Sequence, residues 1–256
     1  MSALHPDFLR LPIAHRAFHD VAAGRPENSL AAMTAAIGRG YGIEIDIQPS
    51  ADGRAMVFHD YDLERLTGET GPIRSRSTAE LSDLVLKGGT EGIPTLEKVL
   101  AHVAGRVPLL IEIKDQDGAL GPDIGVLERD LAACLAGYGG PVAVMSFNPH
   151  AVMVMAELAP DVPRGLTTCG FSRDDWPLVP RARLDELRDI PDYGRSGACF
   201  ISHQVEELHS PRVAELKAQG AGVLCWTVKS AEQEQQARTA AHNITFEGYA
   251  PLIPAA

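Results

Sequence analysis

The sequence predicts an α/β protein with the architecture of a (β/α)8 TIM barrel in a single domain, residues 1–256. Eight short apolar segments, near residues 12, 45, 111, 144, 166, 200, 225 and 245, are mostly separated by longer helical segments. Strands that alternate with helices favour a parallel sheet, and eight such units in 256 residues match the size of a barrel. A doubly wound open sheet is the alternative. It is less favoured because no GxGxxG motif follows the first strand and no P-loop motif is present.

The strands are apolar runs of four to seven residues, and the helices are longer segments with capping residues at their ends. The predicted elements in chain order are strand 11–14, helix 30–39, strand 43–47, return strand 55–58, helix 78–86, helix 95–103, strand 108–113, helix 124–135, strand 142–146, helix 150–158, strand 164–168, helix 178–189, strand 198–202, helix 210–219, strand 222–228, helix 231–241 and strand 243–246.

Local signals support the ends of several helices. The helix at 30–39 follows Pro26-Glu27-Asn28-Ser29, which we interpret as a helix start, and Gly40 closes it. Thr95 opens the helix at 95–103 with a near-capping pattern, and Pro180 disturbs the start of the helix at 178–189. Residues 60–93, rich in Thr-Gly, Gly-Pro and Gly-Gly pairs, are expected to form an irregular excursion within the domain, after the second strand.

Composition excludes several classes of partner. The net charge of −11 argues against nucleic acid or an anionic membrane as the main partner, although a local site can still bind a small anion. No apolar run approaches the ~18 residues of a membrane span, so we expect no stable membrane insertion. The N-terminus shows no secretory signal, and four scattered cysteines lack metal-binding spacing. We therefore expect a cytoplasmic enzyme; the oligomeric state is not determined.

The second strand is the most informative segment of the chain. In the run Ile43-Glu44-Ile45-Asp46-Ile47 the isoleucines share one face and the two acids share the other. Both faces of a parallel strand are normally covered, so two inward acids are costly unless a cation or a site lies between them. An exposed strand with ordinary surface acids is the alternative for this stretch alone.

Further polar residues follow the ends of other strands, where barrel active sites lie. His15 and Arg16 end the first strand, His59 ends the return strand, and Glu112 and Lys114 end the strand at 108–113. The carboxylates Glu44, Asp46 and Glu112 can bind one divalent cation such as Ca²⁺ or Mg²⁺. His15 and His59 can divide general acid and base work, while Arg16 and Lys114 can hold phosphate oxygens. These residue types suit phosphodiester hydrolysis.

The chain resembles the glycerophosphodiester phosphodiesterase family in motifs that span nearly its whole length. The motifs occur in the family's order and are His15-Arg16, Pro26-Glu27-Asn28-Ser29, Glu44-Ile45-Asp46, Asp52-Gly53, His59-Asp60, Leu63, Pro94-Thr95-Leu96-Glu97-Lys98-Val99-Leu100, Glu112-Ile113-Lys114, Ser146-Phe147 and Trp226-Thr227-Val228. The resemblance implies a TIM barrel that uses a divalent cation to hydrolyse small-molecule glycerophosphodiesters to glycerol 3-phosphate and an alcohol.

The same resemblance implies a role for each matching residue. His15 and His59 are similar to the family's acid/base pair, and Glu44, Asp46 and Glu112 to its metal ligands. Arg16 and Lys114 are similar to its phosphate contacts. Glu27 and Asn28 resemble residues that support the site, and Trp226 resembles a wall of the glycerol pocket.

Three departures from the family pattern concern the substrate more than the reaction. Ala17 stands where the family usually has glycine, and a longer loop, residues 18–25, follows it. The closing segment carries Glu247 and Pro251 at displaced positions, and Lys229 stands where asparagine is frequent. The alternatives are a related phosphodiesterase acting on a sugar or lipid phosphodiester, and a non-catalytic barrel that binds a phosphorylated ligand.

Overall fold

A computed structural model describes residues 3–254 of the chain and contains nine β-strands. The strands are β1 (Ile13–Ala14), β2 (Gly42–Pro49), β3 (Ala55–Val57), β4 (Leu109–Ile113), β5 (Val142–Ser146), β6 (Arg164–Thr168), β7 (Phe200–Gln204), β8 (Gly222–Val228) and β9 (Asn243–Phe246). The helices are α1 (Asp7–Arg10), α2 (Leu30–Arg39), α3 (Glu64–Thr67), α4 (Thr78–Asp83), α5 (Leu96–Val103), α6 (Val126–Leu135), α7 (Pro149–Leu158), α8 (Arg181–Arg188), α9 (Pro211–Ala218) and α10 (Ala231–Ala237).

Eight of the strands form a closed parallel ring. The order around it is β1, β9, β8, β7, β6, β5, β4, β2, and β1 also pairs with β2, which closes the ring. The return strand β3 pairs antiparallel with the end of β2 and lies outside the ring. The predicted TIM barrel is therefore confirmed. Because β1 pairs with both β2 and β9, the two ends of the chain meet at one place in the barrel wall.

The alternation of β2 has the predicted result. Ile43, Ile45 and Ile47 are fully buried in the large hydrophobic cluster formed with the helices. Glu44 and Asp46 are equally buried but point to the other face, into the barrel. The register pairs Asp46 with Glu112 of β4, so the parallel strands present their acids at the same height.

The amino end of the barrel is closed by apolar side chains. Phe8 of α1 is fully buried among inward residues of the strands, including Ile13, Leu224 and Phe200. The amide of Asn243 in β9 donates to the backbone oxygens of Phe8 and of Leu11, at 2.8 and 2.6 Å. These contacts stabilise α1 as a plug beneath the barrel.

The excursion at 60–93 has a small core of its own. It contains α3, a short 3-10 turn at Ile73–Ser75, and α4, whose cap Ser77 forms a capping box with Glu80. Buried apolar side chains join these pieces to the base of the hairpin; they are Met56, Phe58, Leu63, Leu66, Ile73, Leu81, Leu86 and Ile93. The segment is therefore irregular but packed, and it covers the mouth of the barrel beside His59.

Several predicted boundaries were wrong for local reasons. The first strand begins at Ile13 rather than residue 11, because α1 precedes it and Pro12 has no N–H to donate to a ladder. Helix α2 begins at Leu30, with Ser29 as its N-cap, so Pro26 lies in the preceding turn and outside the first helical turn. Helix α8 begins only after Pro180, and α10 ends at Ala237, earlier than expected. The four-residue helix α1 was not predicted.

Candidate active site

Three carboxylates meet inside the carboxyl end of the barrel. Oxygens of Glu44, Asp46 and Glu112 lie within 4.8 Å of one another, and all three residues are buried. Three acids at this separation repel one another and lose hydration, which destabilises their charged forms. Oxygen ligands of this kind suit a hard divalent cation, so the cluster can hold a metal ion.

Two cationic side chains offset part of this charge. The ammonium of Lys114 lies 2.7 Å from Asp46 Oδ1 and 2.5 Å from Glu112 Oε1. The guanidinium Nε of Arg16 lies 3.7 Å from Asp46 Oδ2, and the backbone N–H of Arg16 donates to Glu44 Oε2 at 2.8 Å. Lys114 therefore connects the acids of β2 and β4, and Arg16 connects those of β2 to the end of β1.

The acids titrate differently because the cations are unequally shared. Burial, with the neighbouring charges of Asp46 and Glu112, raises the pKa of Glu44 well above its ordinary value. Burial also opposes ionisation of Asp46, but the charges of Lys114, His59 and Arg16 outweigh it, so the pKa of Asp46 falls below its usual range. Glu44 is therefore the acid of the cluster that binds a proton most readily, and a cation bound at the cluster would take the place of that proton.

His15 follows β1 and is held by a carboxylate from the other end of the chain. Its Nδ1 lies 2.7 Å from Oε2 of Glu247, the residue that directly follows β9 in the chain. Hydrogen bonds from His15 and His19 hold the pKa of Glu247 below its usual range, so Glu247 is ionised and Nδ1–H donates to it. Burial lowers the pKa of His15 despite this bond. With Nδ1 engaged, Nε2 is the ring nitrogen available for proton transfer.

His59 follows β3 and has a similar arrangement. Its Nδ1 lies 2.7 Å from Oδ1 of Asp60, the next residue in the chain. Burial would raise the pKa of Asp60, but hydrogen bonds from His59 and Arg65 lower it below its usual range. The ionised carboxylate therefore accepts the Nδ1 proton and orients the ring.

The two residues expected to support the site contact its predicted members. Glu27 Oε1 accepts a hydrogen bond from Arg16 Nη1 at 2.8 Å. The amide of Asn28 donates to Asp46 Oδ2 at 3.0 Å, and its backbone N–H donates to the Arg16 oxygen at 2.9 Å. Asn28 reaches these partners with φ of 59°, a left-handed conformation that asparagine tolerates better than most residues.

Two cavities meet at this cluster. One, of about 240 Å³, is lined by polar groups and by Trp226, whose indole N–H donates to the Ser202 oxygen at 3.0 Å. The other, of about 500 Å³, is lined on one side by Tyr61 and Trp176. The residues that line both cavities are His59, Glu112, Lys114 and Phe147. A molecule with two substituents on one phosphate can therefore place one on each side of this boundary.

Other candidate residues have simpler surroundings. His203 at the end of β7 is buried, its Nδ1 lies 2.8 Å from Thr168 Oγ1, and burial lowers its pKa to about 4. Trp176 packs against Phe147, with ring centroids 5.0 Å apart, and also forms part of the cavity wall. The loop between Ala17 and Pro26 closes on itself through hydrogen bonds between Asp20 and Arg25.

The structure brings all the predicted site residues to the barrel mouth, and it adds partners that sequence reasoning missed. Arg65 on the excursion bonds to both Glu27 and Asp60. In the sequence, Asp60 is only part of the His59-Asp60 motif, and Glu247 is only an acid at a displaced position. The signal for Asp60 was its place beside His59; nothing local distinguished Arg65 from other surface arginines.

Comparisons with known proteins agree with this site. The family model for the glycerophosphoryl diester phosphodiesterase family matches residues 15–244. The glycerophosphodiester phosphodiesterase of Caldanaerobacter subterraneus is 29% identical over 237 residues, covering 88% of each chain. That of Bacillus subtilis is 28% identical over 214 residues, covering 74% of this chain and 70% of the relative.

A solved structure has the same fold. The phosphodiesterase of Oleispira antarctica, in complex with the product sn-glycerol-3-phosphate, has a TM-score of 0.74 at 24% identity and 93% coverage of both chains. Membrane spans were also sought among the helices of residues 3–254, and none has the length and apolar character that a span requires. The match of the family model over most of the barrel shows that the chain belongs to the glycerophosphoryl diester phosphodiesterase family, the phosphoric diester hydrolases that cleave glycerophosphodiesters.

Proposed function

We propose that the chain hydrolyses glycerophosphodiesters to glycerol 3-phosphate and an alcohol, using one divalent cation and two histidines. The observation that carries this proposal is a single cavity of about 240 Å³ that joins acid/base, cationic and carboxylate side chains. Those side chains are His15, His59, Arg16, Lys114, Glu44 and Glu112. The Oleispira phosphodiesterase, which shares the fold, is bound to sn-glycerol-3-phosphate, and we propose the same product here.

Glu44, Asp46 and Glu112 would hold the cation, which we propose is Ca²⁺ or Mg²⁺. The donor set is entirely carboxylate oxygen, which suits these hard ions better than a softer transition metal. Burial, with the charges of Asp46 and Glu112, raises the pKa of Glu44, and a bound cation would relieve both effects, which supports the fit. When bound, the cation supplies Lewis-acid polarisation of a phosphoryl oxygen.

Arg16 and Lys114 bind the phosphate in this proposal. Arg16 is anchored to the half-buried Glu27 and Lys114 to the buried Asp46, so their positive charges are fixed before a substrate arrives. A fixed guanidinium and ammonium stabilise charge that develops on the phosphoryl oxygens without reorganising in the transition state.

The two histidines transfer the protons. Each has Nδ1 bound to a carboxylate, Glu247 for His15 and Asp60 for His59, which leaves both Nε2 atoms for the reacting groups. One ring accepts a proton from the attacking hydroxyl as its oxygen bonds to phosphorus. Attack by water gives glycerol 3-phosphate directly, whereas attack by the neighbouring glycerol hydroxyl gives a cyclic phosphate that water then opens to glycerol 3-phosphate. The other ring donates a proton to the leaving alcohol as the bond from phosphorus to that oxygen breaks.

The substrate lies across the boundary of the two cavities. We place glycerol in the smaller cavity against Trp226, whose indole forms part of the wall. The leaving alcohol lies in the larger cavity beside Tyr61 and Trp176. The larger cavity of about 500 Å³ leaves space for headgroups of different size.

Release of glycerol 3-phosphate tests the proposal. A coupled assay with several glycerophosphodiesters, including glycerophosphocholine and glycerophosphoethanolamine, is run with EDTA and with added Ca²⁺ or Mg²⁺. We expect turnover that EDTA abolishes and one of the two ions restores. His15→Ala and His59→Ala are each expected to abolish turnover. The matched control is His5→Ala, because His5 is exposed and lies at the opposite end of the barrel. Near-normal turnover in either site variant would sink the histidine assignment, and metal-independent turnover would sink the cation.

Two further proposals concern the extent of the catalytic domain and the compartment in which the enzyme works. We propose that residues 1–256 form one catalytic domain, with residues 60–93 as part of it. We also place the enzyme in the cytoplasm, because Cys134, Cys169, Cys199 and Cys225 are free thiols of the kind that reducing compartments preserve.

A further inference from the structure

Arg65, on the short helix α3 of the excursion, bonds two carboxylates at once. Its Nε and Nη2 donate to Asp60 at 2.6 and 2.8 Å, and its Nη1 and Nη2 donate to Glu27, both at 2.8 Å. Four of the five N–H donors of the guanidinium are therefore used, in two bidentate pairs. Asp60 and Glu27 come from different segments of the chain, 33 positions apart in sequence.

Each of these carboxylates holds a residue that faces the reaction cavity. Asp60 Oδ1 accepts the Nδ1 proton of His59 at 2.7 Å. Glu27 Oε1 accepts a hydrogen bond from Arg16 Nη1 at 2.8 Å. Arg65 thus sits at the centre of a continuous series of charge-assisted bonds that runs from His59 to Arg16.

We propose that Arg65 is a positioning residue that fixes His59 and Arg16 relative to each other, which makes the excursion part of the catalytic apparatus. The inference rests on the proposed roles of His59 and Arg16. Arg65 does not line the reaction cavity, so it acts through Asp60 and Glu27.

The geometry explains why arginine is needed. A lysine ammonium is a point charge on a flexible stem and cannot hold two carboxylates through two planar pairs. Without Arg65, and among residues 3–254, Asp60 retains His59 as its one side-chain partner, and Glu27 retains Arg16. Both carboxylates then gain rotational freedom, and the groups they orient lose their fixed directions.

The exposure of the Arg65 side chain distinguishes its positioning role from a contribution to the stability of the fold. The Arg65 side chain is 49% exposed, so its ion pairs are screened and contribute little to the stability of the fold. Burial would raise the pKa of Glu27, but hydrogen bonds from Arg65 and the charge of Arg16 hold it below its usual range. Arg65 therefore acts mainly on the charge and orientation of its two partners.

Substitution of Arg65 tests the inference. We expect Arg65→Met to lower kcat/KM by about 10- to 100-fold, with a melting temperature within about 3 °C of wild type. Arg65→Lys is expected to lose nearly as much. Arg65→Ala is expected to regain activity with added methylguanidinium but not with methylammonium. Arg76→Met is the matched control, because Arg76 is on the same excursion and, within the part of the chain that the structure describes, its side chain pairs only with the exposed Glu69.

Two further measurements distinguish positioning from an independent effect. If Arg65 acts on His59 through Asp60, the double variant Arg65→Met/Asp60→Asn loses much less than the product of the two single losses. In the free enzyme, Arg65→Met is expected to shift the nitrogen NMR signals of the His59 ring and the Arg16 guanidinium, and Arg76→Met is not.

The outcomes separate this inference from the proposed function. Turnover of Arg65→Met within about threefold of wild type, or losses that multiply in the double variant, would overturn the inference. If wild type shows no turnover, the proposed function fails, and the NMR signals alone decide the inference. Unchanged His59 and Arg16 signals then overturn it, and shifted signals support the positioning contacts.

Discussion

Replacing Glu247 by glutamine is expected to slow turnover while leaving the barrel folded. Glu247 Oε2 accepts the Nδ1 proton of His15 over 2.7 Å, and its side chain is 26% exposed. Glutamine preserves the shape of the side chain and can still accept this hydrogen bond, but it carries no charge. The substitution therefore changes the strength of the bond that orients His15 more than its geometry.

The magnitude follows from the kind of bond that is lost. A hydrogen bond to a charged group contributes about 1.5–3 kcal/mol, and a neutral one about 0.5–1.5 kcal/mol. The difference of about 1–1.5 kcal/mol corresponds to a fall in kcat of about 5- to 13-fold, at 1.36 kcal/mol for each factor of ten. Glu247→Ala removes the acceptor altogether, and its fall is expected to reach about 10- to 150-fold.

Steady-state release of glycerol 3-phosphate measures both variants, with the melting temperature as a check on folding. Glu232→Gln is the control, because Glu232 lies on α10 in the neighbouring segment and is exposed. A kcat for Glu247→Gln within twofold of wild type would show that the charge of Glu247 does not orient His15. So would a glutamine variant that is slower than the alanine variant, because glutamine keeps an acceptor.

Two further predictions concern stability. A methyl group added at Gly165 would lie 2.5 Å from ring carbons of Phe200 inside the barrel. Gly165→Ala is therefore expected to destabilise the fold by about 1–3 kcal/mol through overpacking. Urea denaturation measures this loss, and an unchanged midpoint would contradict the prediction. Hydrogen bonds from Ser50 and Thr78 lower the pKa of Asp52 to about 2, below its ordinary 3.8. The stabilisation from Asp52 is therefore full above about pH 4 and is lost as the pH falls towards 2. Because Asp52 is exposed and screened, we expect this loss to be below about 1 kcal/mol. Asp52→Asn should be less stable than wild type at pH 6 but not at pH 2, and an equal difference at both pH values would exclude the charge as its cause.

Much of the fold was predictable because its signals are local. The alternating run from Ile43 to Ile47 predicted which side chains enter the barrel, and the burial of both faces of β2 agrees with it. Errors arose where no periodicity exists. The four residues of α1 are too few to show a helical pattern, and proline residues displaced the starts of β1 and α8.

The residue types of the site were also predictable, since carboxylates at alternate positions of β2 and near the end of β4 have few structural uses inside a barrel. The identity of each partner was not. Glu247 lies 232 positions from His15, and the two meet because β1 pairs with β9 when the ring closes. Arg65 and Glu27 are 38 positions apart, and they meet because the excursion folds over the barrel mouth.

The barrel, the acids that point into it and the similarity to the family could all be predicted from the chain, because strand period and residue type are properties of short segments. Which carboxylate orients each histidine, and the connection of His59 to Arg16 through Arg65, became visible only in the folded structure. Those relations depend on closure of the ring and on the packing of residues 60–93, which bring together side chains that no local pattern relates.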